Sequence, residues 1–358
     1  MKAAVCYEFG KPLVVEEIEI EPPQRGEVKV RIAATAVCHS DIHLIKGEFP
    51  GVQLPIVPGH ESSGYVVETG EGVSSVKPGD AVCIMLLAPC GKCHYCITGR
   101  PHLCTTRYAL DTEPRMRNKR GQRIGMSMKG AGNSEYAIVT ENQLVPIPKE
   151  IPMDSASLLS CGFTTGFGAV VSRAQVKPYS SVVVIGTGGV GLSAVQGAAF
   201  AGANPIIAVD ILDNKLKAAR TFGATHAINS RSQDAVAAIL QTTSGRGVDY
   251  VFVTVGNAEA LKQSFAMLGQ QGTTVIVGVV NEPVPVLPAE ITIFEKALIG
   301  SKGGSINPAV DIPQLVALYK GGRIKLDEMI TGRYPLNQIN EAIASVVKGE
   351  ALRNVIVF

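Results

Sequence analysis

The sequence has no excess of charge of either sign: 33 Lys and Arg stand against 31 Asp and Glu, a formal net charge of +2. That balance argues against a nucleic-acid or membrane-surface protein, because both partners call for a basic field. It also has no leader pattern. Met1-Lys2-Ala3-Ala4-Val5 opens directly into strand alternation, without an apolar h-region or a small-residue cleavage site, so a signal peptide is not expected. Repeats and low-complexity segments are missing. The most apolar stretch, 182–203, is interrupted by Gly186, Gly188, Gly189, Gly191 and Gly197 and begins with β-branched residues. It reads as a buried strand, a tight turn and a buried helix rather than a membrane span. Eight cysteines without a leader point to a reducing, cytoplasmic compartment.

What is present begins with length. At 358 residues the chain exceeds one ordinary core, and two domains are expected. Residues 1 to about 150 carry short β-branched runs between turn signals. Examples are Glu27-Val-Lys-Val-Arg-Ile32, Gly64-Tyr-Val-Val-Glu68, Asp80-Ala-Val-Cys-Ile84 and 134–140, a pattern suited to an antiparallel, barrel-like domain. From about 163 to 302 strands alternate with helices, the α/β texture of a doubly wound parallel sheet. The tail returns to mixed elements and ends in Asn354-Val-Ile-Val-Phe358, a strand able to pair back onto the first sheet. The expected domains are therefore 1–162 with 303–358, and 163–302. Residues 113–123 read as one long polar loop.

Cys90-x2-Cys93-x2-Cys96-x7-Cys104 places four thiols within fifteen residues. A structural zinc needs four soft ligands in a closed tetrahedron, and Gly91 and Gly99 let the backbone fold tightly around an ion. Paired disulfides are the alternative, and the reducing compartment favours metal. Cys6 and Cys83 lie in apolar strand patterns and read as ordinary buried thiols.

Gly186-x-Gly188-x-x-Gly191 follows the strand Val182-Val-Val-Ile185 and opens an apolar helix, the setting of a dinucleotide-binding loop. The helix N-terminus offers its N–H groups and positive dipole end to a pyrophosphate. Asp210 ends the next strand, 19 residues after Gly191, where a carboxylate accepts from ribose hydroxyls and repels a 2′-phosphate. NAD is thereby favoured over NADP. A helix cap or turn role is the alternative for Asp210. Lys215 reads equally as a ribose contact or a solvated helix charge.

Cys38 in Cys38-His39-Ser40-Asp41, His60-Glu61 in Gly59-His-Glu-x-x-Gly64, and Cys161 in Ser160-Cys-Gly162 are metal-type residues too dispersed for spacing to unite. Taken singly, each is more often a packed core group. With 36–41, 59–64, the four-cysteine lobe, 159–166 and 184–191 in this order, the chain resembles the zinc-dependent medium-chain alcohol dehydrogenases over essentially its whole length.

The resemblance implies a GroES-like β-barrel catalytic domain beside a Rossmann coenzyme domain. It implies two Zn2+ per chain and NAD(H), with a catalytic zinc on Cys38, His60 and Cys161 and one open position. Glu61 would stand behind that metal as a transient ligand, or else be a structural acid paired with a buried arginine. Ser40 and His43 would carry the alcohol proton outward. Read without the family, His43 is a half-buried polar residue. His39 and Arg353 fall at pyrophosphate positions, Thr164 and Thr165 at the nicotinamide end, and Gly189 and Val190 within the phosphate turn.

The function implied is reversible hydride transfer between a primary or secondary alcohol and NAD, in a homodimer or homotetramer with no nucleic-acid or membrane partner. Two other readings stay open: a dehydrogenase of hydroxymethyl–thiol adducts, and a catalytically silent NADH-binding protein. The thiol-adduct branch typically carries tyrosine at position 43 and an acid a few places on, whereas this chain has His43, and its Glu48 falls one place early. The five cations of 115–123 are a solvated surface or a platform for an anionic substrate.

Overall fold

Along Glu27–Ala36, Val28, Val30 and Ile32 are buried while Lys29 and Arg31 lie on the opposite face, the period-2 pattern of a half-covered strand. The outward cations rest over rings of neighbouring strands, Lys29 over Tyr136 at 5.7 Å and Arg31 over Tyr65 at 5.1 Å. This strand anchors the first of two units into which the computed structural model, describing residues 1–358, divides: Met1–Gly162 with Asn307–Phe358, and Phe163–Ile306.

In the first unit, Glu27–Ala36 pairs antiparallel with Ser62–Thr69, Tyr136–Thr140 and Arg353–Val357. The last of these brings the C-terminal segment into the sheet, with Val355 opposite Ala36 and Val357 opposite Ala34. A second sheet runs Lys2–Val5, Val14–Ile20, Met116–Asn118, Arg123–Met126, Ile56–Val57. Val5, Ile18, Val30, Val66, Val82, Ile124 and Val139 fill the space between, a shared core of β-branched side chains.

Residues 113–123 are not one loop. Met116–Asn118 and Arg123–Met126 form a hairpin against Val14–Ile20. The reason is charge pairing across strands: Arg115 binds Glu27 through two hydrogen bonds of 2.8 and 3.1 Å, Arg117 donates to Glu21 at 3.0 Å, and Lys119 to Glu17 at 2.8 Å. Arg115 is 3% exposed, so it is held in the interior rather than offered to a ligand.

The second unit is a six-stranded sheet in the order His226–Asn229, Ile206–Asp210, Val182–Ile185, Val248–Val253, Leu268–Ile276, Ala297–Gly300. Every pairing is parallel. In chain order this is 3-2-1-4-5-6, with the order reversing at Val182–Ile185, where doubly wound folds bind ligands. Helix Gly189–Phe200 is buried from Gly191 to Ala198, which accounts for the apolar stretch in the sequence. Helix Ala258–Met267, capped by Asn257, whose side chain accepts from Ala260 N–H at 2.8 Å, is an element the sequence pattern did not suggest. Residues 303–306 cluster with this unit, because a Cβ on Gly168 would stand 2.6 Å from Gly304 O: the turn packs directly on helix Gly162–Gly168. No helix is long and apolar enough to cross a membrane.

Candidate active site and metal centres

Two groups of metal-type side chains converge in the first unit. Cys90, Cys93, Cys96 and Cys104 place their sulfurs within 4.8 Å of one another. All four are free thiols, with Cys93 and Cys104 sulfurs 3.8 Å apart and Cys90 and Cys96 sulfurs 4.0 Å apart. Four sulfurs each about 2.3 Å from a central ion stand about 3.8 Å apart, so the set matches a tetrahedral zinc and not a disulfide pair. Cys93 N–H donates to Cys90 Sγ at 3.2 Å and Cys90 N–H to Cys104 Sγ at 3.4 Å, orienting thiolate acceptors. The Thr106 hydroxyl and Lys92 N–H pull the Cys90 thiol down to about 6, while burial pushes Cys96 up to about 12. Thiols this close ionise together only beside a cation.

The second group is Cys38, His60, Glu61 and Cys161, again within 4.8 Å of one another. Cys38 follows strand Glu27–Ala36 and caps helix His39–Ile45, and His60 and Glu61 lead into strand Ser62–Thr69. The pairing of those two strands therefore brings together residues that lie far apart in sequence. His60 is 2% exposed, and its Nδ1 lies 3.0 Å from Asp41 Oδ2. Asp41 Oδ1 accepts from Gly59 N–H at 3.0 Å and from Ser127 Oγ at 3.1 Å. The carboxylate thus faces Nδ1 and orients the ring, so that Nε2 could serve as a ligand atom. Burial opposes charge on this ring, but the Asp41 and Cys38 charges outweigh it and push His60 up to about 10. The Cys161 hydrogen bond, against burial and with His60, holds the Cys38 thiol well below its usual range. A proton on His60 beside a Cys38 thiolate is the charge pattern that a divalent cation replaces. Asp41 is the partner of His60 that the sequence did not single out; a carboxylate three residues after Cys38 was the available signal.

Glu61 is fully buried, and its Oε2 makes an ion pair with Arg353 Nη2. Arg353 was expected at a phosphate; in this unit it lies against Gly162 and the Glu61 carboxylate. Helix His39–Ile45 carries His39, exposed, Ser40, half-buried, and His43, exposed. Ser40 and His43 share a helix face by their spacing, and His43 Nδ1 bonds Glu48 Oε2, a partner the sequence reading did not assign.

In the second unit the three glycines serve different needs. Gly186 has φ +87°, a turn conformation that L side chains avoid. A Cβ on Gly191 would collide with Gly186 O, so helix and strand touch there. Gly188 has φ −72° and open space where its Cβ would be, so the fold itself does not require glycine. In a dinucleotide-binding loop, glycine at this place leaves room for a phosphate to approach the backbone. Gly188 caps Gly189–Phe200 without a side chain, and Gly188, Gly189 and Val190 are half-exposed, leaving N–H groups for phosphate. Asp210 accepts from Thr187, Ile211 and Leu212, and Lys215 is buried near its charge; burial lowers the Lys215 pKa and Asp210 opposes that. Thr164 is buried and Thr165 half-buried on helix Gly162–Gly168, whose Gly166 packs against Val190 O.

Residues 24–149 match the alcohol dehydrogenase GroES-like domain and 189–321 the zinc-binding dehydrogenase domain. An NDMA-dependent alcohol dehydrogenase from Amycolatopsis methanolica is 38% identical, the match covering 99% of this chain and 98% of that one. The chain belongs to the zinc-dependent medium-chain alcohol dehydrogenase family. Among solved members, a benzyl alcohol dehydrogenase from Acinetobacter calcoaceticus is similar with a TM-score of 0.92 at 34% identity, covering 100% of this chain and 99% of that one. A putative zinc-binding dehydrogenase from Sinorhizobium meliloti, bound to NADP, is similar at 0.83 and 29% identity, with coverage of 100% and 99%. This medium-chain dehydrogenase is thus an oxidoreductase of a zinc- and nicotinamide-using family.

Proposed function

We propose that this enzyme reversibly oxidises primary or secondary alcohols to aldehydes or ketones, with NAD as hydride acceptor and two zinc ions per chain. The observation that carries the reading is the convergence of Cys38, His60 and Cys161, whose ligand atoms lie within 4.8 Å of one another. A protein that only binds NADH has no use for it. Cys90, Cys93, Cys96 and Cys104 would hold the second, closed zinc. When bound, zinc supplies Lewis acidity at the alcohol oxygen and NAD supplies the hydride acceptor.

The chain's own residues do the rest. Asp41 orients His60. Ser40 takes the substrate proton as it passes its own outward, and His43, three residues on, delivers it to solvent. Glu48 at His43 Nδ1 fixes the tautomer that leaves Nε2 to accept. Asp210 takes the adenosine ribose and disfavours NADP, and Gly188, Gly189 and Val190 take the pyrophosphate. Arg115, Arg117 and Lys119 are already paired with Glu27, Glu21 and Glu17, which favours plain alcohols over an anionic thiol adduct.

Self-association to a dimer or tetramer is supported by Val279, Leu287, Ile293 and Leu298, all exposed in the second unit. That none of the eight cysteines forms a disulfide supports a reducing, cytoplasmic setting.

The test is turnover of ethanol, benzyl alcohol and a formaldehyde–thiol mixture, each with NAD, NADP or NDMA as acceptor. Alcohol-dependent NADH formation is expected. Turnover confined to the thiol mixture would make this a thiol-adduct enzyme, and none with any acceptor a binding protein. Reduction of NDMA alone would replace NAD as the released acceptor.

A further inference from the structure

Thr187 sits inside the glycine loop and is fully buried, yet both of its donors go to one acceptor. Its N–H lies 2.7 Å and its hydroxyl 3.0 Å from Asp210 Oδ2. The other oxygen, Oδ1, accepts from Ile211 N–H at 2.7 Å and Leu212 N–H at 3.0 Å. An ionised carboxylate has about four lone-pair sites, so these donors saturate Asp210 and fix its plane. Three of them are backbone N–H groups set by the loop and the strand end. The Thr187 hydroxyl alone can rotate, and it alone can accept as well as donate.

We propose that Thr187 is a positioning residue for the coenzyme: it holds the Asp210 carboxylate in the plane taken up by the adenosine ribose, and it sets the margin of NAD over NADP. This rests on the reading of Asp210 as the ribose acceptor. A carboxylate already ordered on folding is not ordered again at the cost of binding free energy. An arriving ribose hydroxyl takes the place of the Thr187 proton on Oδ2, and the freed Thr187 hydroxyl turns to the sugar. A 2′-phosphate, carrying about −1.5 to −2 charges, brings no proton for that exchange and meets a carboxylate that is not free to swing away.

Thr187→Val removes the hydroxyl and keeps the shape and the N–H. Asp210, half-exposed, then gains freedom to turn toward water. Calorimetric titration of the zinc-loaded full-length variant is expected to show NAD binding weakened about three- to tenfold, the range of one lost hydrogen bond. NADP binding should change by less than about twofold, so the preference narrows, and kcat at saturating NAD should stay within about twofold. Thr187→Ser should restore the wild-type pattern, and Thr187→Ala should repeat the split if the valine variant fails to fold. On an Asp210→Ala background, Thr187→Val should add nothing. Equal weakening of both dinucleotides, or unchanged NAD binding, would overturn the assignment. If Asp210→Ala itself leaves NAD binding unchanged, the ribose reading fails with it; if Asp210→Ala weakens NAD and Thr187→Val does not, only the role of Thr187 fails.

Discussion

Glu61 and Arg353 form an ion pair in the interior of the first unit, with the carboxylate 0% and the guanidinium 5% exposed. Arg353 opens the strand on one side of Glu27–Ala36, Glu61 immediately precedes the strand on the other, and Glu61 also belongs to the Cys38–His60–Cys161 group. The arginine therefore offsets negative charge where two thiols and a carboxylate crowd together.

Breaking this pair from one side strands the other charge. Arg353→Met should destabilise the protein by about 3–5 kcal/mol, and Glu61→Gln by a comparable amount. The double variant should recover much of the loss, because no lone buried charge remains. Thermal unfolding of the three variants checks this; additive losses would mean the two side chains act independently.

Asp41→Asn keeps the size of the side chain but removes the carboxylate that orients His60. Zinc affinity at the Cys38 site is expected to fall about 10–100-fold, with the Cys90 lobe unaffected. Competition with a chelator, scored as zinc retained per chain, reads both sites at once.

Proton and metal compete for His60. With His60 up at about 10 against an ordinary 6.5, zinc-stripped protein holds a proton that the unfolded chain releases between those values. That contribution to stability is fully present below pH 6.5 and is lost as pH rises through about 10. Zinc needs the neutral ring, so its affinity runs the other way, weakening as pH falls across the same window. Chelator competition repeated at low and high pH should show this slope, and a flat profile would rule out His60 as a ligand.

Gly188→Ala and Gly191→Ala should separate binding from folding. The first adds a methyl to open space at φ −72° and should leave Tm nearly unchanged while weakening NAD binding about tenfold or more. The second drives a methyl into Gly186 O and should unfold or seriously destabilise the second unit. Melting curves beside calorimetric titrations distinguish the two.

Ser40→Ala should nearly abolish alcohol turnover with zinc content and NAD affinity kept, since the proton loses its acceptor. His43→Gln should cost about tenfold or less and be partly restored by added imidazole. Near wild-type turnover by Ser40→Ala would mean the proton leaves by another path.

Much of this was legible in one dimension. The glycine loop and the four-cysteine lobe are local, and period-2 alternation marked Glu27–Ala36 because one face meets the core. The strand Val182–Ile185 and the helix Ala235–Thr242 fall where the pattern placed them. What stayed hidden was long-range. No spacing rule links Cys38 to Cys161, and only resemblance grouped them. The cations of 115–123 looked like a loop because their partners, Glu17, Glu21 and Glu27, lie some 90 to 100 residues earlier. Asp41 stands in the same short run as Cys38, but no sequence rule ties it to His60; strand pairing sets the two side by side.

The discontinuity of the first unit has a consequence for how the protein is made. Arg353 leaves the ribosome long after Glu61, with the whole of Phe163–Ile306 synthesised in between. The second unit, contiguous in the chain, has every strand of its sheet available while the first still lacks Arg353–Val357. Glu61 must wait, carboxylate unpaired and the sheet edge beside Ala36 open, until that strand arrives. The surroundings of the Cys38–His60–Cys161 cluster are thus closed late in synthesis, although Cys38, His60 and Glu61 are laid down early.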